Sequence, residues 1–73
     1  MRKSVFITGG SKGIGAACVE LFSKNGFAVA FVYGKDNKAA QKLAAKTSAL
    51  AIKADVSDVE QIEKAFDQAR TYF

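Results

Sequence analysis

The stretch Ser4–Gly15, SVFITGGSKGIG, decides how the rest of the chain is read. The apolar triplet Val5-Phe6-Ile7 follows a basic start, Met1-Arg2-Lys3. It runs into Thr8, Gly9, Gly10, Ser11, Lys12, Gly13, Ile14 and Gly15. A β-prone apolar run that stops at glycines and reopens with helical spacing predicts strand, tight turn, helix. The helix N-terminus then directs unpaired N–H groups and the positive end of its dipole into the turn, a setting suited to phosphate or pyrophosphate. Gly9 and Gly10 supply backbone angles closed to other residues. Gly13 and Gly15 allow a ligand to approach the backbone and the helix to pack closely on its strand.

Working outward, Ile14, Ala17, Cys18, Leu21 and Phe22 recur at helical spacing and predict a buried stripe. Cys18 then reads as a small core side chain. Gly26 is placed to end that helix. Ala28–Tyr33, AVAFVY, is apolar throughout rather than alternating, which predicts a parallel strand covered on both faces. Gly34-Lys35-Asp36-Asn37 reads as a turn in which Asp36 or Asn37 caps a helix carrying Ala39, Ala40, Leu43 and Ala44. Ala49–Ala54, ALAIKA, is a third strand, ended by Asp55-Val56. Ser57 and Glu60 match the S-x-x-E capping box, and Val59, Ile62, Phe66, Ala69 and Phe73 continue a helix to the last residue. The order β-α-β-α-β-α predicts an α/β fold of the Rossmann type, the first half of a doubly wound parallel sheet.

Composition narrows the functional classes. Seventy-three residues make one small domain at most, and 49% hydrophobic content excludes a disordered tail. Eleven Lys+Arg against seven Asp+Glu give +4, which suits an anionic ligand. The basic residues form no dense block, so no nucleic-acid partner is expected. A single cysteine, Cys18, and no histidine exclude an intrachain disulfide and a Cys/His metal cluster. Without a transmembrane run or signal-peptide pattern, no membrane partner is expected and the location is expected to be cytoplasmic.

The glycine spacing departs from the common dinucleotide fingerprint G-x-G-x-x-G. It reads Thr8-Gly9-x-x-x-Gly13-Ile14-Gly15. A P-loop matches poorly, because its Lys follows the last Gly whereas Lys12 precedes Gly13. The competing assignment is a plain strand-turn-helix whose glycines serve only the turn. TGGSKGIG resembles the cofactor loop of the short-chain dehydrogenase/reductase family, in particular of its NADP-using members. The resemblance implies that the Ile14 amide and the Ser11 hydroxyl contact cofactor phosphates and that Thr8 braces the loop.

Two further sites follow from that resemblance. The family's acidic, NAD-selecting position after the second strand falls on Tyr33, which cannot take that role; Gly34 and Lys35 come next. Lys12 stands where similar NADP-dependent reductases carry a basic residue. Together Lys12 and Lys35 would act as point charges on a 2′-phosphate, and NADP(H) is expected over NAD(H). Read without the resemblance, both are solvated lysines, and Asp36 would favour NAD(H) if the turn brought it to the ribose. Asp55-Val56 matches the place where the family's Asp accepts from the adenine amino group and the next amide meets the ring. Read locally, Asp55 is a turn residue.

The resemblance covers the whole chain but only the first part of the family's length. The family's Asn-Asn-Ala-Gly stretch, its catalytic Ser and its Tyr-x-x-x-Lys pair have no match here. Tyr33 and Tyr72 lack a Lys four residues on, so no catalytic residue is assigned. Residues 1–73 are expected to be the N-terminal part of one dinucleotide-binding domain. The parent is expected to be a homo-oligomeric oxidoreductase acting on a small carbonyl or alcohol. FVYGKDN and ADVSD look most like 3-oxoacyl-carrier-protein reductases. The alternative is a non-catalytic dinucleotide-binding or redox-sensing module, since fold alone does not decide function.

Overall fold

A computed structural model describes residues 3–9 and 13–73. Its elements run β1 (Ser4–Thr8), α1 (Gly13–Lys24), β2 (Ala28–Tyr33), α2 (Asn37–Thr47), β3 (Leu50–Lys53) and α3 (Val59–Tyr72). The three strands form one parallel sheet with order β1-β2-β3. Ser4 pairs with Ala28 and Ile7 with Phe31 on one side of β2; Ala30 pairs with Leu50 and Tyr33 with Lys53 on the other. This is the expected β-α-β-α-β-α half of a doubly wound sheet, with β3 one residue shorter at each end than ALAIKA suggests.

β2 is the middle strand, and alternation sends its side chains to two separate cores. Val29, Phe31 and Tyr33 pack with Val19 of α1, with Ala40 and Leu43 of α2, and with Ala49. Ala30 and Val32 pack with Ile52, Ala54 and the α3 residues Ala65 and Ala69. So α1 and α2 cover one face and α3 the other. That explains why β2 is apolar without alternation: neither of its faces meets water.

The helix ends follow local chemistry. After α1, Phe27 N–H bonds to Phe22 O at 3.0 Å and Gly26 N–H to Ser23 O at 3.1 Å, with Gly26 at φ 85°. This is a Schellman stop, and its apolar contact is the edge-to-face pair Phe22–Phe27, centroids 5.0 Å apart. Asp36 caps α2, accepting from Ala39 N–H at 3.0 Å.

Two expectations are corrected. The cap of α3 is Asp58, not Ser57: Asp58 Oδ1 accepts from Glu60 N–H at 3.0 Å and Gln61 N–H at 3.4 Å. Ser57 is diverted, donating both its N–H (2.9 Å) and its hydroxyl (2.7 Å) to Asp55 Oδ1. The buried faces of α1 and α3 are also rotated from the predicted stripes. In α1, Val19 is fully buried, whereas Ile14 and Leu21 are 85% and 59% exposed and Cys18 is half-buried. In α3, Ala65 is buried, while Val59, Phe66 and Phe73 are exposed; of the predicted stripes, Phe22, Ile62 and Ala69 do pack on the cores. Both helices carry apolar residues on more than one face, so periodicity admits several stripes. The sheet selects the one that closes over it.

Candidate functional site

Parallel strands all end on the same side, so the loops leaving β1, β2 and β3 converge there. Among the described residues they form a crevice of about 530 Å³ lined by Gly9, Val32, Gly34, Lys35, Lys53, Ala54, Asp55, Val56 and Gln61. Each of the three predicted sites contributes to this one space: Gly9 from the glycine turn, Gly34-Lys35 from the second strand end, and Asp55-Val56 from the third.

In the glycine turn, Gly9 (φ 69°) and Gly13 (φ 56°) both hold left-handed backbone, which an L side chain rarely adopts. Among the described residues, a Cβ built at either would meet no atom within 4 Å, leaving open space over both. Ile14 is exposed and Gly15 half-buried, both in the first turn of α1. Gly10, Ser11 and Lys12 lie outside the described residues.

At the end of β2, Tyr33 is buried at 7% exposure in the core shared with α1 and α2, its ring 6.5 Å from that of Phe31. Its side chain therefore lies away from the crevice, which β2 and the loop after it line through Val32, Gly34 and Lys35. Asp36 does not line the crevice; its carboxylate is turned to the α2 N-terminus.

At the end of β3, Asp55 is solvent-exposed. Its carboxyl is held below the usual carboxylate range, first by the Ser57 hydroxyl, then by the Ser57 N–H, with the Lys35 charge adding a smaller push. Desolvation of the carboxyl acts the other way, by less than either Ser57 bond and by more than the Lys35 charge. The carboxylate thus stays ionised and available as an acceptor, with a cation from the neighbouring loop nearby. Lys53, Ala54, Val32 and Gln61 also line the space and were not among the predicted residues. Strand alternation could have pointed to Val32 and Ala54, which share the α3 face. Gln61 stands three residues after Asp58, the spacing of a capping pair.

The crevice combines the positive-φ Gly9, two lysines and an ionised acceptor, and the turn that Gly9 opens leads to the start of α1 at Gly13. Such a set can hold an anionic nucleotide: pyrophosphate at the helix N-terminus, further phosphate near lysine, and an amino group on the carboxylate.

Among the described residues no helix is long and apolar enough to cross a membrane. A short chain dehydrogenase family model matches residues 3–73. The cyclic-di-GMP-binding biofilm dispersal mediator protein of Escherichia coli is 43% identical over 60 residues, covering 82% of this chain and 25% of its own length. A solved Serratia marcescens short-chain dehydrogenase/reductase (F98Y/F202Y mutant) superposes with TM-score 0.95 at 39% identity, covering 97% of this chain and 31% of that one. The structure of BdcA, an E. coli protein, in complex with NADPH superposes with TM-score 0.87 at 39% identity, covering 92% and 28%. The chain thus spans roughly a quarter to a third of these relatives' length. With the glycine turn, the parallel half-sheet and a family match running from Lys3 to Phe73, the chain belongs to the short-chain dehydrogenase/reductase family.

Proposed function

We propose that this chain is the nucleotide-binding part of an NADP(H)-dependent oxidoreductase that moves hydride between the nicotinamide and a carbonyl or alcohol. The observation that carries the cofactor reading is the lining of the crevice beside β2. Tyr33 is packed into the core, Asp36 is used as a helix cap, and among the described residues the charges at that lip are Lys35 and, from the neighbouring β3, Lys53. A carboxylate there would select the ribose hydroxyls of NAD; a lysine favours the 2′-phosphate. The solved NADPH complex of BdcA supports the same choice.

In this reading Gly9, Gly13 and Gly15 keep side chains away from the pyrophosphate. The Ile14 amide and the Ser11 hydroxyl donate to the phosphates, and Lys12 and Lys35 neutralise the 2′-phosphate. Asp55 accepts from the adenine amino group while the Val56 amide meets the ring. The bound cofactor supplies the hydride chemistry; the residues here bind and orient it. The narrower substrate reading, a 3-oxoacyl group on a carrier protein, rests on the FVYGKDN and ADVSD tracts alone.

Competition of NADPH and NADH for the intact protein tests the assignment. NADPH should bind at least about tenfold more tightly, a difference of ~1.4 kcal/mol. Equal affinities, or tighter NADH, would remove the 2′-phosphate site. Binding of NADPH without turnover of any carbonyl substrate would favour a non-catalytic module.

A further inference from the structure

The turn after β3 is held by more bonds than a helix start needs. Residues 55–58 close on themselves through Asp58 N–H to Asp55 O at 3.0 Å. Inside the turn, Ser57 donates twice to Asp55 Oδ1, at 2.9 and 2.7 Å. Across its mouth lies the carboxamide of Gln61, from the first turn of α3. Gln61 Oε1 accepts from Asp55 N–H at 2.8 Å, and Gln61 Nε2 donates to Asp58 Oδ2 at 3.2 Å. The two atoms cannot exchange roles, since an amide N–H needs an acceptor and a carboxylate needs a donor. One side chain therefore ties the first residue of the turn to the last and anchors both to α3.

We infer that Gln61 is a positioning residue for base recognition: it clasps the 55–58 turn so that the Asp55 carboxylate and the Val56 amide are presented to the crevice in one fixed arrangement. This rests on the nucleotide reading above. Three features support it. Gln61 itself lines the crevice beside Asp55 and Val56. Both bonds from Ser57 fall on Asp55 Oδ1, and the described residues place none on Oδ2, the oxygen that would meet an amino group. Finally, the cap of α3 does not require the clasp, since Asp58 Oδ1 already accepts from the N–H groups of Glu60 and Gln61. A group fixed before its ligand arrives loses less freedom on binding, and base selectivity depends on that geometry.

The readout is base discrimination. NADPH and its hypoxanthine analogue, which carries a carbonyl in place of the adenine amino group, are titrated into the intact wild-type protein and into Gln61→Ala and Gln61→Met. The wild type should favour NADPH, because Asp55 accepts from the amino group and repels a carbonyl. In both variants that preference should fall about fivefold, the range that one net hydrogen bond supplies. Met keeps the length and bulk of Gln but neither polar atom, so it separates bonding from packing if Ala perturbs folding. Equal losses for both nucleotides, or a Met variant with the wild-type ratio, would overturn the clasp and leave the site intact. A wild type that binds NADPH without discriminating the analogue would overturn the Asp55 role together with the clasp. A wild type that binds neither would overturn the nucleotide reading itself.

Discussion

Replacing Lys35 by Ala is the sharpest probe of the cofactor assignment. Lys35 lines the crevice from the β2 side, and its charge is felt at Asp55 across it. A 2′-phosphate carries close to two negative charges. Two unit charges about 4 Å apart in water-like surroundings attract by ~1 kcal/mol, so the phosphate would gain ~2 kcal/mol. Holding a long exposed lysine in one place offsets about half of this, as its side-chain entropy is up to ~2 kcal/mol. A net loss of ~1 kcal/mol is about fivefold in affinity for NADPH. NADH lacks the phosphate and should change by less than about twofold. Calorimetric titration of both cofactors against wild type and Lys35→Ala measures the difference directly. The gap should narrow as salt rises, because the screening length falls from about 10 Å at 0.1 M to about 3 Å at 1 M. Equal weakening of both cofactors, or a gap insensitive to salt, would refute the charge assignment.

Gly13→Val should leave the chain folded but strained, as a β-branched residue at φ 56° costs on the order of 1–3 kcal/mol, and it should abolish NADPH binding by filling the open space over the turn; normal binding by a folded variant would remove the turn from the site. Asp58→Ala should destabilise the protein by about 1 kcal/mol in urea unfolding, and Ser57→Ala by clearly less, because Asp58 caps α3; the reverse ranking would reinstate the S-x-x-E cap. A purified 1–73 chain should associate in sedimentation, since β1 is a sheet edge among the described residues, Phe66 and Phe73 are exposed beside it, and Ile14 and Leu21 are exposed on α1. A monomer that melts cooperatively would show that the half-sheet suffices by itself.

Much of this architecture was written into local pattern. The glycine turn follows from residue types: Gly9, read as taking angles closed to other residues, has φ 69°, and Gly13, read as room for close approach, is also left-handed at φ 56°, while Gly10 lies outside the described residues. The bounds of β2 follow from an unbroken apolar run, because a strand enclosed on both faces has no polar position to interrupt it. Asp36 as a cap and Gly26 as a stop follow from side-chain and backbone chemistry acting within a few residues.

What the tertiary structure alone decided is orientation. Periodicity says that α1 and α3 are amphipathic but not which of their apolar faces meets the sheet. Val19 and Ala65 are buried, and Ile14 and Phe66 are not, because crossover geometry places the former over β2 and β3. The same applies to Tyr33: its position in the chain is next to the crevice, but strand alternation turns its ring into the opposite core. The convergence of Gly9, Lys35 and Asp55 spans three loops far apart in sequence, and only parallel pairing brings them to one end. The Gln61 clasp has the same origin. Its partners are three and six residues away, yet whether a glutamine side chain turns back toward them or outward to water is set by where α3 begins. That start is fixed by Asp58 once Asp55 has captured Ser57.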